Sequence, residues 1–89
     1  MDIQDKMKAV LKIKKLGYSI RQSWILLHCV QWEFIYADDI ARYGFSKNII
    51  RFLVKSGHLD KHEADRYDDL CYDLSDSAHK RITEALNNG

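Results

Sequence analysis

Proline is absent from the 89 residues and glycine occurs only four times. That combination excludes a loop-rich or collagen-like chain and favours helices over a succession of turns. Cysteine is nearly as scarce. Cys29 and Cys71 are too few for a disulfide framework, and Cys29 lies in the most apolar stretch, so both are expected as reduced, buried thiols. No apolar run approaches the roughly 20 residues that span a bilayer, and the opening DIQDKMK is not a cleavable signal, which implies a cytoplasmic protein. Motifs of catalysis are missing as well: there is no Gly-rich phosphate loop, HExxH or nucleophile elbow, so no catalytic residue, cofactor or enzyme activity is expected.

What remains is apolar and aromatic. A hydrophobic fraction of 46%, with two Trp, five Tyr and three Phe, is enough to build the core of one domain spanning residues 1–89. The net charge of +1 hides an asymmetry. Residues 1–55 hold ten Lys/Arg against five Asp/Glu, whereas residues 56–89 hold four against eight. A polyanion would therefore dock on the first part of the chain.

That part contains the stretch around which the chain is organised, IYADDIARYGFSKNIIRFLVKSGHL, residues 35–59. It reads as a helix-turn-helix. Gly44 can adopt the left-handed backbone that leaves the first helix, and Ser46 can cap the second. Ile49, Ile50, Leu53 and Val54 then fall on one side and Ser46, Lys47, Asn48, Arg51 and Lys55 on the other. The second face suits a DNA major groove, with Arg for guanine, Asn for adenine and Lys for phosphate.

The flanking segments supply a frame. An amphipathic helix over Asp2 to Lys15 repeats Ile3, Met7, Val10, Leu11 and Lys14, and Gly17 ends it. Ser19 with Gln22 predicts a capping box for a second helix to about Trp32, apolar nearly all round and hence central. His28 within it is expected as a hydrogen-bonded core imidazole. Phe34 to Tyr36 suits a strand. Leu59 and Lys61, then Leu70, Tyr72 and Leu74, predict a hairpin with EADRYDD as its polar tip. Ser75 or Asp76 caps a last helix carrying Ala78, Ile82, Ala85 and Leu86. His58 and His62, four residues apart on a strand, would stand roughly 13 Å from each other, too far to share a metal ion, and are expected as surface imidazoles.

The order is helix, helix, strand, helix, helix, strand, strand, helix: mainly α with a small β-hairpin, an α+β arrangement. With YSIRQSWILL, DDIARYGFSKNIIRFL, SGHLDK, ADR and YDLSDSAHKRI in that succession, the chain resembles winged helix-turn-helix transcription regulators of the MarR type, in a shortened and divergent form. The resemblance implies a homodimer held by the first and last helices, residues 1–16 and 76–87, with the reading helices in successive major grooves and the hairpins, or wings, along the minor groove. Two apolar stripes, Ile3, Met7, Val10 and Leu11 with Ile82 and Leu86, fit that dimer because one small domain cannot cover them alone.

Two functions of different kinds follow. As a sequence-specific transcription regulator, the chain would set Lys47, Asn48 and Arg51 at base edges, with Ser46 opening the same DNA-binding face. Lys55, Arg42 and Lys61 would lie on the phosphates of double-stranded DNA, at half-sites about 10 base pairs apart, and Arg66 would either reach DNA alone or pair with a neighbouring Asp. As a protein-interaction module, an adaptor or an inhibitor that mimics DNA, it would act instead through its acidic wing, where Asp60, Glu63, Asp65, Asp68, Asp69 and Asp73 outnumber Lys61 and Arg66.

Overall fold

The computed structural model describes residues 2–63 and 70–88. Within them α1 (Ile3–Lys14), α2 (Ile20–Trp32), β1 (Ile35–Tyr36), α3 (Ala37–Arg42), α4 (Lys47–Lys55), β2 (Leu59–Glu63), β3 (Leu70–Leu74) and α5 (Asp76–Asn87) follow one another in the expected order. Each long helix starts at a residue whose side chain satisfies an otherwise orphaned N–H. The Asp2 carboxylate accepts from Asp5 N at 2.9 Å, and Ser19 Oγ accepts from Gln22 N at 3.1 Å while Gln22 Oε1 accepts from Ser19 N at 2.8 Å. Of the two candidates for the last cap it is Ser75 that serves, accepting from Ala78 N at 3.3 Å.

Helix α2 is central. Ser23, Ile25, Leu26, Leu27 and Cys29 are buried on it, and α1, β1, β3 and α4 all pack against it. The strands among the described residues form an antiparallel sheet in the order β1-β3-β2. Leu59 pairs with Leu74, Lys61 with Tyr72 and His62 with Cys71. With the helix-turn-helix in front of this hairpin, the architecture is a winged helix of the α+β class. Residues 64–69, and with them Arg66 and most of the expected polar tip, lie outside the described residues.

The α1 helix divides its apolar residues between two directions. Ala9, Val10 and Ile13 enter the core, whereas Ile3, Met7 and Leu11 are exposed by 74%, 48% and 49%. At 100° per residue the two sets are centred roughly a third of a turn apart. This corrects the expected dimer surface: Val10, 1% exposed, and Ile82, fully buried, belong to the subunit's own core. Leu86 is half-buried against that core, and its carbonyl accepts from Lys12 Nζ at 3.4 Å. That contact sets a cation at the negative end of α5 and ties α5 to α1.

Candidate nucleic-acid interface

The α4 helix is defined at both ends by local chemistry. Ser46 Oγ accepts from Asn48 N at 3.1 Å, which starts the helix one residue later. At its end Gly57, φ 80°, lets Gly57 N donate to Val54 O and His58 N donate to Leu53 O, satisfying two carbonyls of the last turn. Gly44, φ 72°, ends α3 in the same way, with Phe45 N donating to Ile40 O at 3.1 Å. The turn between the two helices is therefore set by a left-handed glycine and a serine cap two residues later.

Between these stops, Ile50 and Leu53 are buried and Ile49 and Val54 half-buried, while Lys47, Asn48, Arg51 and Lys55 are exposed. Ser46 is exposed as well, its hydroxyl proton still available to an outside acceptor. Phe52, 56% exposed, shares this face and had no expected role. Its position one turn after Asn48 was the available signal. Arg42 on α3 has a side chain 80% exposed, 4.0 Å from Asp39, a contact too loose to hold it from another anion.

Strand alternation sorts the hairpin's charges. Lys61 and its cross-strand partner Tyr72 face the cleft beside α4, whereas Asp60 and Asp73, which also oppose each other, stand on the other side of the sheet. Two like charges facing across a ladder destabilise it, and His62 Nε2 meets Asp73 Oδ1 at 2.8 Å. Asp60 and Asp73, then, do not shield the cationic face of α4. Their position follows from period two and not from the sum of charges.

Other polar contacts brace this face from behind. His28 Nδ1 on α2 lies 2.6 Å from Tyr43 Oη, with the rings edge to face, and Asp39 lies 3.7 Å from Nε2. The Asp39 carboxylate also accepts from Tyr36 N at 3.0 Å at the start of α3. His58, expected at the surface, instead joins three segments. Its Nδ1 is 2.9 Å from Tyr18 Oη, before α2, and 3.1 Å from an Arg81 guanidinium nitrogen on α5, which also donates to Tyr18 Oη. Ser75 adds a further tie between the exit of α4 and the start of α5, its Oγ donating to Gly57 O at 2.8 Å. The exit of α4 is thus fastened to the last helix. His58 and His62 are engaged separately, and among the described residues no three His, Cys, Asp or Glu side chains gather around a possible ion.

Burial lowers the pKa of both His28 and His58 below the ordinary 6.5. Asp39 partly opposes this for His28, and Arg81 adds to it for His58. The unfolded chain therefore binds more protons than the folded one just below that value. Stability from these two residues is complete above pH 6.5 and is lost as pH falls through their folded pKa values. Thermal melts should show a midpoint that falls from pH 6.5 towards 5, and a shallower fall in His28→Gln/His58→Gln. An unchanged slope in that variant would count against these assignments.

A cavity of about 470 Å³ lies between α3, α4 and the hairpin, although no pocket is legible in the sequence.

A short strand, a helix-turn-helix with an exposed cationic second helix, a hairpin that completes a three-stranded sheet with that strand, and a closing helix define the winged-helix class. Solved structures similar to the chain include three of AbfR. Its disulfide form aligns with 84% of this chain and 57% of its own at 21% identity and a TM-score of 0.62. The overoxidised and reduced forms, both bound to DNA, each align with 93% of this chain at 22% identity and a TM-score of 0.63, over 65% and 64% of their own lengths. The chain thus spans 57–65% of the AbfR chains, and at this identity the likeness establishes the fold. No family model and no curated protein matches the sequence.

Proposed function

We propose that the chain is a small, dimeric, sequence-specific DNA-binding transcription regulator of the MarR-like winged-helix kind, with α4 in the major groove. The observation that carries this reading is the exposed face of Lys47, Asn48, Arg51 and Lys55, continued by Lys61, with Asp60 and Asp73 on the far side of the sheet. In this reading Lys47, Asn48 and Arg51 meet base edges and Lys55, Arg42 and Lys61 meet phosphates. DNA bound to AbfR, a chain of similar fold, supports it. The exposed stripe of Ile3, Met7 and Leu11 supports a second copy packing on α1.

Selection of bound duplexes from a random pool at two salt concentrations tests the reading. A consensus should emerge, and affinity should fall with salt by a log–log slope of about −0.9 per phosphate contacted. Lys55→Ala should weaken every duplex alike and reduce that slope by about 1. Retention of any duplex without a consensus would contradict sequence-specific regulation.

A protein partner is favoured by a different place, the concavity beside Trp32, which is 68% exposed and stands near Glu33, Asp73 and Asp76. Asp68 and Asp69 of the acidic wing lie outside the described residues. Under the DNA reading, charge reversal at Glu33 and Asp76 leaves the selected consensus unchanged.

Among solved structures of similar fold, AbfR has disulfide and overoxidised forms. Cys29 and Cys71 are both free and buried, and burial pushes the Cys29 thiol up to about 12. From an ordinary value of 9.0 that is about a thousandfold less thiolate. Alkylation of Cys29 by iodoacetamide at pH 8, followed on its own peptide, should be at least about a hundredfold slower in native protein than in denaturant, because the thiolate is the reacting species. Equal rates would contradict this burial.

A further inference from the structure

We propose that Phe52 reads thymine: its ring covers the C5-methyl group of the A·T pair that Asn48 meets. The assignment rests on the DNA reading and extends it to a side chain with neither charge nor hydrogen-bonding group. Phe52 is 56% exposed. It is not among the apolar side chains packed on the core, makes no ring contact among the described residues and does not line the cavity between α3, α4 and the hairpin. The subunit thus leaves the ring against water, and an apolar group brought onto it from outside gains the burial. Helix geometry sets this ring beside Asn48. The two are about 40° apart around the axis and about 6 Å apart along it, the spacing at which helix side chains are neighbours. On the other side of Asn48 follow Lys55, Arg51 and Lys47, at roughly 20°, 60° and 100°. The cations therefore lie to one side of Asn48 and the ring to the other, and the exposed Asn48 amide makes no side-chain hydrogen bond among the described residues.

In the major groove the four bases present hydrogen-bond donors and acceptors, and thymine alone adds a methyl group. The Asn48 amide, a donor beside an acceptor, matches the N6 and N7 edge of adenine, whose partner is thymine. A ring next to that amide comes to the methyl of the same pair. Against a phosphate, or against the edges of guanine and cytosine, the ring would strip water from polar groups and return no hydrogen bond. Against a methyl it removes apolar surface from water on both sides of the contact. A 5-methylcytosine carries the same methyl, but its partner guanine offers only acceptors to the Asn48 amide, and this decides for thymine.

Deoxyuridine, which lacks only the methyl, tests this when it replaces each thymidine in turn in the consensus selected from random duplexes, with affinity read by fluorescence anisotropy. At one thymine of a half-site the replacement should weaken binding about fourfold, the equivalent of about 0.8 kcal/mol for one buried carbon. In Phe52→Ala the thymine and uracil duplexes should bind alike, and both more weakly than the parent binds thymine. Phe52→Leu, which keeps an apolar end, should still favour thymine by about twofold or more. Phe52 is exposed, and unchanged melting curves verify that the variants fold. A 5-methylcytosine·guanine pair in the same place keeps the methyl and loses the adenine, and should bind the parent at least about fivefold less tightly than thymine·adenine. Equal binding of these two pairs would overturn thymine as the base read. Uracil replacement without effect at every position, an effect that persists in Phe52→Ala, or a consensus without thymine would overturn the assignment and leave the DNA reading standing. A parent chain that retains no duplex would overturn both. Loss of a sedimenting dimer in Phe52→Ala, with the thymine preference intact, would overturn it in favour of a second copy of the chain on this ring.

Discussion

Arg51→Ala is expected to weaken binding to a selected duplex about 5- to 150-fold and to relax preference at one base position. These are the consequences of losing a bidentate contact worth about 1–3 kcal/mol. The side chain stands on the exposed arc of α4, flanked by Lys47 and Lys55 one turn to either side, and makes no ion pair among the described residues. Removing it should leave stability within about 0.5 kcal/mol of the parent, as for other surface substitutions without partners. Loss of affinity then reports recognition and not unfolding. The contrast with Lys55→Ala is the informative part, since that change should lower affinity without altering the consensus. Anisotropy titrations of the consensus and of its single-base variants would separate the two, and equal sequence preference in Arg51→Ala and the parent would place Arg51 away from the bases.

The second large effect is expected at α1. Met7→Glu/Leu11→Glu should raise the dimer dissociation constant at least about a hundredfold, because an unpaired charge left in a buried interface costs about 3–5 kcal/mol. Both side chains are about half exposed in the subunit, so the fold itself tolerates the change. Sedimentation equilibrium should show a dimer for the parent and a monomer for the variant at micromolar concentration. The variant should also lose affinity for a duplex carrying two half-sites while keeping its weak affinity for one. A parent chain that sediments as a monomer at tens of micromolar would refute the dimer.

Local chemistry was the legible part of this fold. Caps and stops depend on neighbours in sequence, which is why Ser19 with Gln22, Ser46, Gly44 and Gly57 could be assigned before any tertiary contact was known. The polar face of α4 was legible for the same reason. Periodicity, however, defines the width of an apolar arc and not which part of it meets the core. Val10 and Met7 therefore looked alike on α1, yet one is buried and the other half exposed. Ile82 was misassigned to a dimer surface on the same ground. The junction of Tyr18, His58 and Arg81 brings together residues 40 and 23 positions apart, and nothing in their local spacing marks it. The cavity is likewise a product of three elements meeting. The hairpin offers the opposite lesson: its acidic total does not say which face carries the charge, whereas the alternation of Lys61 with Asp60 and of Tyr72 with Asp73 separates these four residues.

The outward face of α4 is the surface proposed to meet nucleic acid. Backbone amide shifts, followed residue by residue while duplex DNA is added, test this most directly. The account predicts salt-reversible changes at Lys47, Asn48, Arg51, Phe52, Lys55 and Lys61, with Trp32, Asp73 and Asp76 unmoved. Changes confined to the Trp32 side of the molecule, with α4 silent, would contradict it.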